Sequence, residues 1–279
     1  MPEQAPKLLC SVSIFNTTTM EKKKSLGQHF LNSPQIIADI ADAAKISKED
    51  LVLEIGPGEG ILTESLLKTG ASIISVEKDD RLIPVLQRKF AREILLKQLN
   101  LVHADVLDLE LPHIAKREYK VVANIPYYIT GQILRMFLES NNQPKSMTLL
   151  VQKEVADRIV AKDNKESLLS LSVKAFGDPK YIRTVGRGAF TPQPNVDSAV
   201  INIENVSKNR LEGLDEKIFF DVIHSGFAHK RKQLLPNLSS IYAKNRIIQA
   251  FEKTGLDLKC RAEDLPLAAW VKLCNILIT

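Results

Sequence analysis

The apolar run Leu51-Val52-Leu53-Glu54-Ile55 leads straight into Gly56-Pro57-Gly58-Glu59-Gly60. Ile61, Leu62, Leu66 and Leu67 then recur at helical spacing until Gly70. A buried strand, a glycine turn and an amphipathic helix make the first half of a βαβ unit. The pattern repeats downstream. Strands are predicted at 72–76 (closed by Glu77), 99–103, 121–124, 147–151 and 198–203, with helices at about 80–90 and through 132–137. Asn32-Ser33-Pro34 is a helix start, with Ser33 as N-cap and Pro34 in the first turn. This alternation predicts an α/β fold with a largely parallel sheet. Such sheets bind ligands beyond the carboxyl ends of their strands. Gly56, Glu77, Asp105 and Asn124 all fall just past predicted strand ends, so four positions converge on one rim.

The rim residues define a chemistry. Without side chains, Gly56, Gly58 and Gly60 let the backbone approach a ligand closely, although a ligand-free turn would use the same residues. The spacing is G-x-G-x-G, whereas a dinucleotide fold shows G-x-G-x-x-G and faces a pyrophosphate. An acidic Glu54 beside the turn is compatible with a cationic ligand such as S-adenosylmethionine. Glu77, about 20 residues on, suits a ribose diol, of NAD as much as of S-adenosylmethionine, or a solvated charge at a helix entrance. Asp105 either accepts from an adenine amine or caps a turn.

Asn124-Ile125-Pro126-Tyr127 follows the strand Val121-Val122-Ala123. An adenine amine is a weak nucleophile because its lone pair is delocalised into the ring. Two acceptors aimed at its hydrogens, the Asn124 side chain and the Ile125 carbonyl, favour a pyramidal nitrogen. Pro126 stiffens the turn, and the face of Tyr127 offers a stacking platform. The same four residues would also serve as a plain cap and turn. Together with the glycine turn, they point to methyl transfer onto a nucleobase nitrogen. Phe190, at the head of F-T-P-Q-P-N-V-D-S, either pairs with Tyr127 to sandwich an extruded base or anchors the core.

Net charge is +5, which permits a polyanionic partner without demanding one. Lys22-Lys23-Lys24 and His229-Lys230-Arg231-Lys232 are the basic clusters, fit either for a phosphate backbone or for solvent. Cys10, Cys260 and Cys274 form no C-x-x-C pair, so neither a metal site nor a disulfide framework is expected. No apolar run approaches the ~18 residues of a membrane span. Residues 1–22 read as a disordered tail, with Met20 as an alternative start, and 23–205 as the catalytic domain. Residues 204–214 are polar and aperiodic, hence a linker, and 206–279 make a small all-helical domain.

In order along the chain stand Lys24-Ser25-Leu26-Gly27-Gln28-His29-Phe30-Leu31, E-I-G-P-G, N-I-P-Y, and Gln152-Lys153-Glu154-Val155-Ala156-Asp157-Arg158. Then come F-T-P-Q-P-N-V-D-S, Phe227-Ala228-His229-Lys230-Arg231-Lys232 and Arg261-Ala262-Glu263-Asp264-Leu265. This ordered set resembles the small-subunit ribosomal RNA adenine dimethyltransferases of the KsgA/RsmA type. The resemblance implies a Rossmann-like S-adenosylmethionine-dependent methyltransferase fold with a small C-terminal all-helical domain. It implies N6,N6-dimethylation of two adjacent adenosines in the 3′-terminal hairpin of small-subunit rRNA. It further implies cofactor contacts at His29, Leu31, Gly56, Glu77, Asp105 and Asn124, and a target base between Tyr127 and Phe190. The glycine turn adds Gly58 to the expected cofactor contacts, and the basic cluster offers Lys230, Arg231 and Lys232 as the expected RNA contacts. The expected partner is small-subunit rRNA in a preassembled subunit, met by a cytoplasmic monomer away from membranes. Other readings are an Erm-type methyltransferase of large-subunit rRNA and a non-catalytic assembly or transcription factor on the same scaffold. An NAD-dependent oxidoreductase is disfavoured by the glycine spacing.

Overall fold

Parallel strands covered on both faces need near-continuous apolar runs, and the central strands of this chain have them. The computed structural model describes residues 29–111, 115 and 117–278. The expected tail, the Lys22-Lys23-Lys24 cluster and the motif residues up to Gln28 lie outside the described residues. The strands are β1 (Phe30–Leu31), β2 (Leu51–Ile55), β3 (Ser72–Glu77), β4 (Leu99–His103), β5 (Lys120–Asn124), β6 (Ser146–Gln152), β7 (Asp178–Val185), β8 (Phe190–Thr191) and β9 (Ser198–Glu204). Seven of them form one sheet in the order β4-β3-β2-β5-β6-β9-β7. The members from β4 to β6 are parallel, and β9 and β7 add on antiparallel.

The chain lays down β2, β3 and β4 outward on one side, then returns to place β5 against the other side of β2. The crevice at this reversal, between β2 and β5, is where a sheet of this kind accepts a ligand. A separate short pair seals one flank: β1 meets β8 with Leu31 opposite Phe190. Helices Pro34–Ala44 and Ile61–Leu67 cover one face of the sheet with Ile40, Leu66 and Val52 in a shared apolar cluster. The other face carries Leu53, Val121, Ile133 and Phe137. That second cluster continues without a break into Phe219, Phe251 and Trp270 of the C-terminal helices Glu216–Gly226, Lys244–Thr254 and Leu267–Ile278.

Local expectations changed in four places. The helix expected from about 80 begins at Ile83, because Asp79 is buried and its carboxylate is taken by the Arg81 guanidinium and backbone. Ser33 takes an extended N-cap conformation, but its side chain makes no cap bond. Strand β7 was missed, since Asp178, Pro179, Lys180 and Arg183 break the apolar pattern of an edge strand. The supposed linker carries a 3₁₀ turn at Lys208–Leu211, with Leu211 and Leu214 buried and Arg210 held 2.5 Å from Asp178.

Candidate active site

The glycine turn owes its shape to backbone angles that side chains rarely adopt. Gly56, Gly58 and Gly60 have φ of +68°, +59° and +78°. A Cβ on Gly58 would stand 3.0 Å from the Phe30 ring, and one on Gly60 would stand 2.5 Å from Phe90. The turn is therefore walled as well as bent. It lies at the rim of a cavity of about 240 Å³ that also takes in His29, Leu31, Glu77, Asp105, Asn124, Ile125, Pro126 and Tyr127. All four strand-end positions named from the sequence share this cavity.

Glu77 is not a solvated charge. It is 6% exposed, and its two oxygens accept from Gly58 N at 3.2 Å and Asp79 N at 2.8 Å. Burial raises its pKa, and those N–H bonds oppose the rise. Asp105 does two jobs at once. One oxygen accepts from Leu107 N at 3.0 Å, as a cap would. The other lies 2.5 Å from Lys78 Nζ, and that ammonium holds the carboxyl below its ordinary range.

Asn124 sits at the carboxyl end of β5, with Nδ2 donating to His29 O at 3.3 Å. That bond fixes the amide and leaves Oδ1 as its acceptor. The His29 ring nitrogen Nδ1 lies 2.8 Å from Pro192 O, and the ring stacks on Tyr127 with centroids 5.8 Å apart. The Tyr127 hydroxyl lies 2.6 Å from Ser198 Oγ, which anchors the ring at its far end. Burial raises the Tyr127 pKa, so the ring presents a neutral phenol. Leu31 is buried and reaches the cavity through β1.

Two expectations end elsewhere. Glu54 does not face the cavity: it is fully buried below the turn, where Thr63 Oγ1 donates to it at 2.8 Å and Ser75 Oγ bonds the same oxygen. A strand alternates its side chains, so the carboxyl two residues before Gly56 points into the layer beneath the helix. Phe190 is 4% exposed, packed with Leu31 in the apolar cluster and outside the cavity lining. This burial is what the core-anchor alternative requires.

Lys230, Arg231 and Lys232 are exposed on the loop before the helix Leu234–Leu238. Lys230 lines a second cleft of mixed charge, with Lys153, Arg158 and Arg187 beside Glu154, Asp157 and Glu263. Sequence reasoning missed three supports of the cavity: Lys78, Ser198 and the Phe30 ring. Ser198 closes F-T-P-Q-P-N-V-D-S, so its motif was visible while its bond to Tyr127 was not.

The cavity's charge selects among ligands. Its lining holds the acids Glu59, Glu77 and Asp105, and its lysine, Lys78, is already paired. A pyrophosphate would meet carboxylates there, whereas a donor with a cationic sulfonium and amino group meets complementary charge. The walled glycines and the buried carboxylate at the end of β3 thus fit S-adenosylmethionine.

Comparison with known proteins gives the family. Residues 19–279 match the family described as ribosomal RNA adenine dimethylase. Among curated relatives, a ribosomal RNA small subunit methyltransferase A of Dehalococcoides mccartyi is 41% identical over 97% of this chain and 94% of that protein. One from Clostridium botulinum is 39% identical over 94% of this chain and 96% of that protein. Among solved structures, a dimethyladenosine transferase from Plasmodium falciparum superposes with a TM-score of 0.77 at 25% identity, covering 88% of this chain and 96% of that one. The 23S rRNA methyltransferase ErmE superposes at 0.75 and 25% identity, covering 90% of this chain and all of that one. With a family match that spans nearly the full length, the chain belongs to the ribosomal RNA adenine dimethylases.

Proposed function

We propose that this chain dimethylates N6 of two adjacent adenosines in the 3′-terminal hairpin of small-subunit rRNA. As a member of its family it is an rRNA adenine dimethyltransferase that uses S-adenosylmethionine. Relatives near 40% identity carry the small-subunit name, whereas ErmE shares the scaffold at 25%, which favours the small subunit over the large one. The observation that carries the reading is the placement of Asn124. Its amide stands at the β2–β5 crevice, in the same cavity as the glycine turn and Glu77.

In this reading Glu77 and Asp105 hold the donor's ribose and adenine, while His29, Leu31, Gly56 and Gly58 close around it. When bound, S-adenosylmethionine supplies an electrophilic methyl group on a charged sulfur and leaves as a thioether. Asn124 Oδ1 and the Ile125 carbonyl accept from the target amine and draw its lone pair out of the ring plane. Tyr127 supplies a face for the flipped base, held by His29 and Ser198, and Pro126 keeps the turn rigid. Phe190 stays in the apolar cluster and braces Leu31 from behind the cavity wall. The amine sheds one proton for each methyl gained.

Lys230, Arg231 and Lys232 are exposed and hold the rRNA backbone, with Lys230 at the edge of the second cleft. The substrate is rRNA within a preassembled small subunit, and the enzyme acts as a cytoplasmic monomer. No described helix is long and apolar enough to cross a membrane. Mass spectrometry of small-subunit rRNA from cells lacking the protein, with and without its return, tests the reading. Dimethyladenosine should vanish and reappear, and unchanged adenosine methylation in the deletion strain overturns it.

A further inference from the structure

Tyr128 follows the base-facing Tyr127 and behaves oppositely. Its side chain is 64% exposed, and it is the one aromatic ring among the exposed large hydrophobics of the described residues. Among those residues its hydroxyl has no hydrogen-bond partner, whereas that of Tyr127 is bonded to Ser198. An exposed, unbonded aromatic at the mouth of a cavity offers a stacking surface.

Its position says which occupant. Tyr128 and Gln132 line both the active cavity and a neighbouring groove of about 1270 Å³. The groove is continuous with the active cavity through these two residues, so a strand whose base enters the cavity can run on into the groove. Its floor is apolar, with Leu134, Leu169 and Phe176, and its rim carries both Arg135 and Glu139, themselves 3.6 Å apart. A rim of mixed sign is a poor phosphate track and leaves base stacking as the better use.

Drawing one adenosine into the active cavity removes a stacking partner from the base beside it. The geometry points to Tyr128 as the platform that takes up this second base, with the Gln132 amide reading its edge. This inference rests on the proposed function, because it needs two adjacent target adenosines. A glutamine amide pairs with adenine through N6 and N7, so the neighbour is recognised as adenine. The two residues would thereby enforce methylation of a pair of adenosines where Asn124 alone would accept one.

The test uses undermethylated small subunits, with the natural adenosine pair or with guanosine replacing one member. Methyl groups at each site are followed over time by mass spectrometry. Wild-type protein should methylate the remaining adenosine more slowly beside guanosine. Tyr128→Ala should lower kcat/KM on the natural pair about ten-fold, the scale of one lost base stack. It should leave S-adenosylmethionine affinity unchanged, and Tyr128→Phe, which keeps the ring, should restore the rate. Gln132→Leu should abolish the discrimination against guanosine. If wild-type protein modifies neither substrate, the proposed function itself fails. If it modifies both and Tyr128→Ala matches it on each, the second-base platform is wrong and the function stands. That second outcome also follows if the groove serves a protein partner.

Discussion

The Tyr127 hydroxyl lies 2.6 Å from the Ser198 hydroxyl, tying the residue after the proline turn to the first residue of β9. The ring is gripped at its other side by the stacked His29. Removing the ring should cost more than removing its anchor. Tyr127→Ala is expected to lower methyl transfer about 10- to 100-fold, since a stacked base contributes ~1–3 kcal/mol. Ser198→Ala, which only frees the hydroxyl, should cost a few-fold. Single-turnover methylation of rRNA checks the order of the two.

Asn124→Ala removes a preorganised acceptor aimed at the reacting nitrogen. Loss of one such group costs about 10²–10³ in rate. The rate of methyl transfer should fall by that factor while RNA binding stays near wild type. A filter-binding assay beside the activity assay separates the two, and wild-type activity would remove the amide from the mechanism.

Gly58→Ala places a methyl group 3.0 Å from the Phe30 ring at a φ of +59°. The strain falls on the turn that Glu77 holds through Gly58 N. Affinity for S-adenosylmethionine is expected to weaken about ten-fold, with a loss of ~1 kcal/mol of stability for the left-handed conformation. Titration calorimetry and thermal melts measure these separately.

Glu54 sets a pH dependence of stability. Burial pushes its pKa from 4.5 to about 7, against the pull of bonds from Ser75 and Thr63. The folded protein therefore holds this proton more tightly than the unfolded chain. Its contribution is full below pH 4.5 and is lost as pH rises through 7, so melting temperature should decline across that window. Glu77, also raised by burial, contributes with the same sign. Glu54→Gln should flatten the decline. A wild-type slope in that variant would show that Glu54 is ionised throughout.

Changing Lys230, Arg231 and Lys232 together to Glu should weaken rRNA binding. Each lost phosphate contact should reduce the slope of log affinity against log salt by about 1. An unchanged slope would route the RNA elsewhere.

Motif chemistry and the positions of the parallel strands were legible in the chain because both are written locally. Buried parallel strands need continuous apolar runs, and a turn with three left-handed residues needs glycine at each. The convergence of Gly56, Glu77, Asp105 and Asn124 followed from their places at strand ends, without any distance being known. Tertiary structure decided which way each side chain faces. Glu54 and Glu77 are both acids near the glycine turn, yet one is sealed under a helix and the other opens on the cavity. Tyr127 and Tyr128 are chemically identical neighbours, and Ser198 draws one inward while the other stays in solvent. His29 meets Pro192 across 163 residues of chain, and Leu31 pairs with Phe190 beside it. Local patterns encode the period of burial, but contacts between distant segments arise only when the packed core brings them together, so the residues that brace the site from behind are set by the fold.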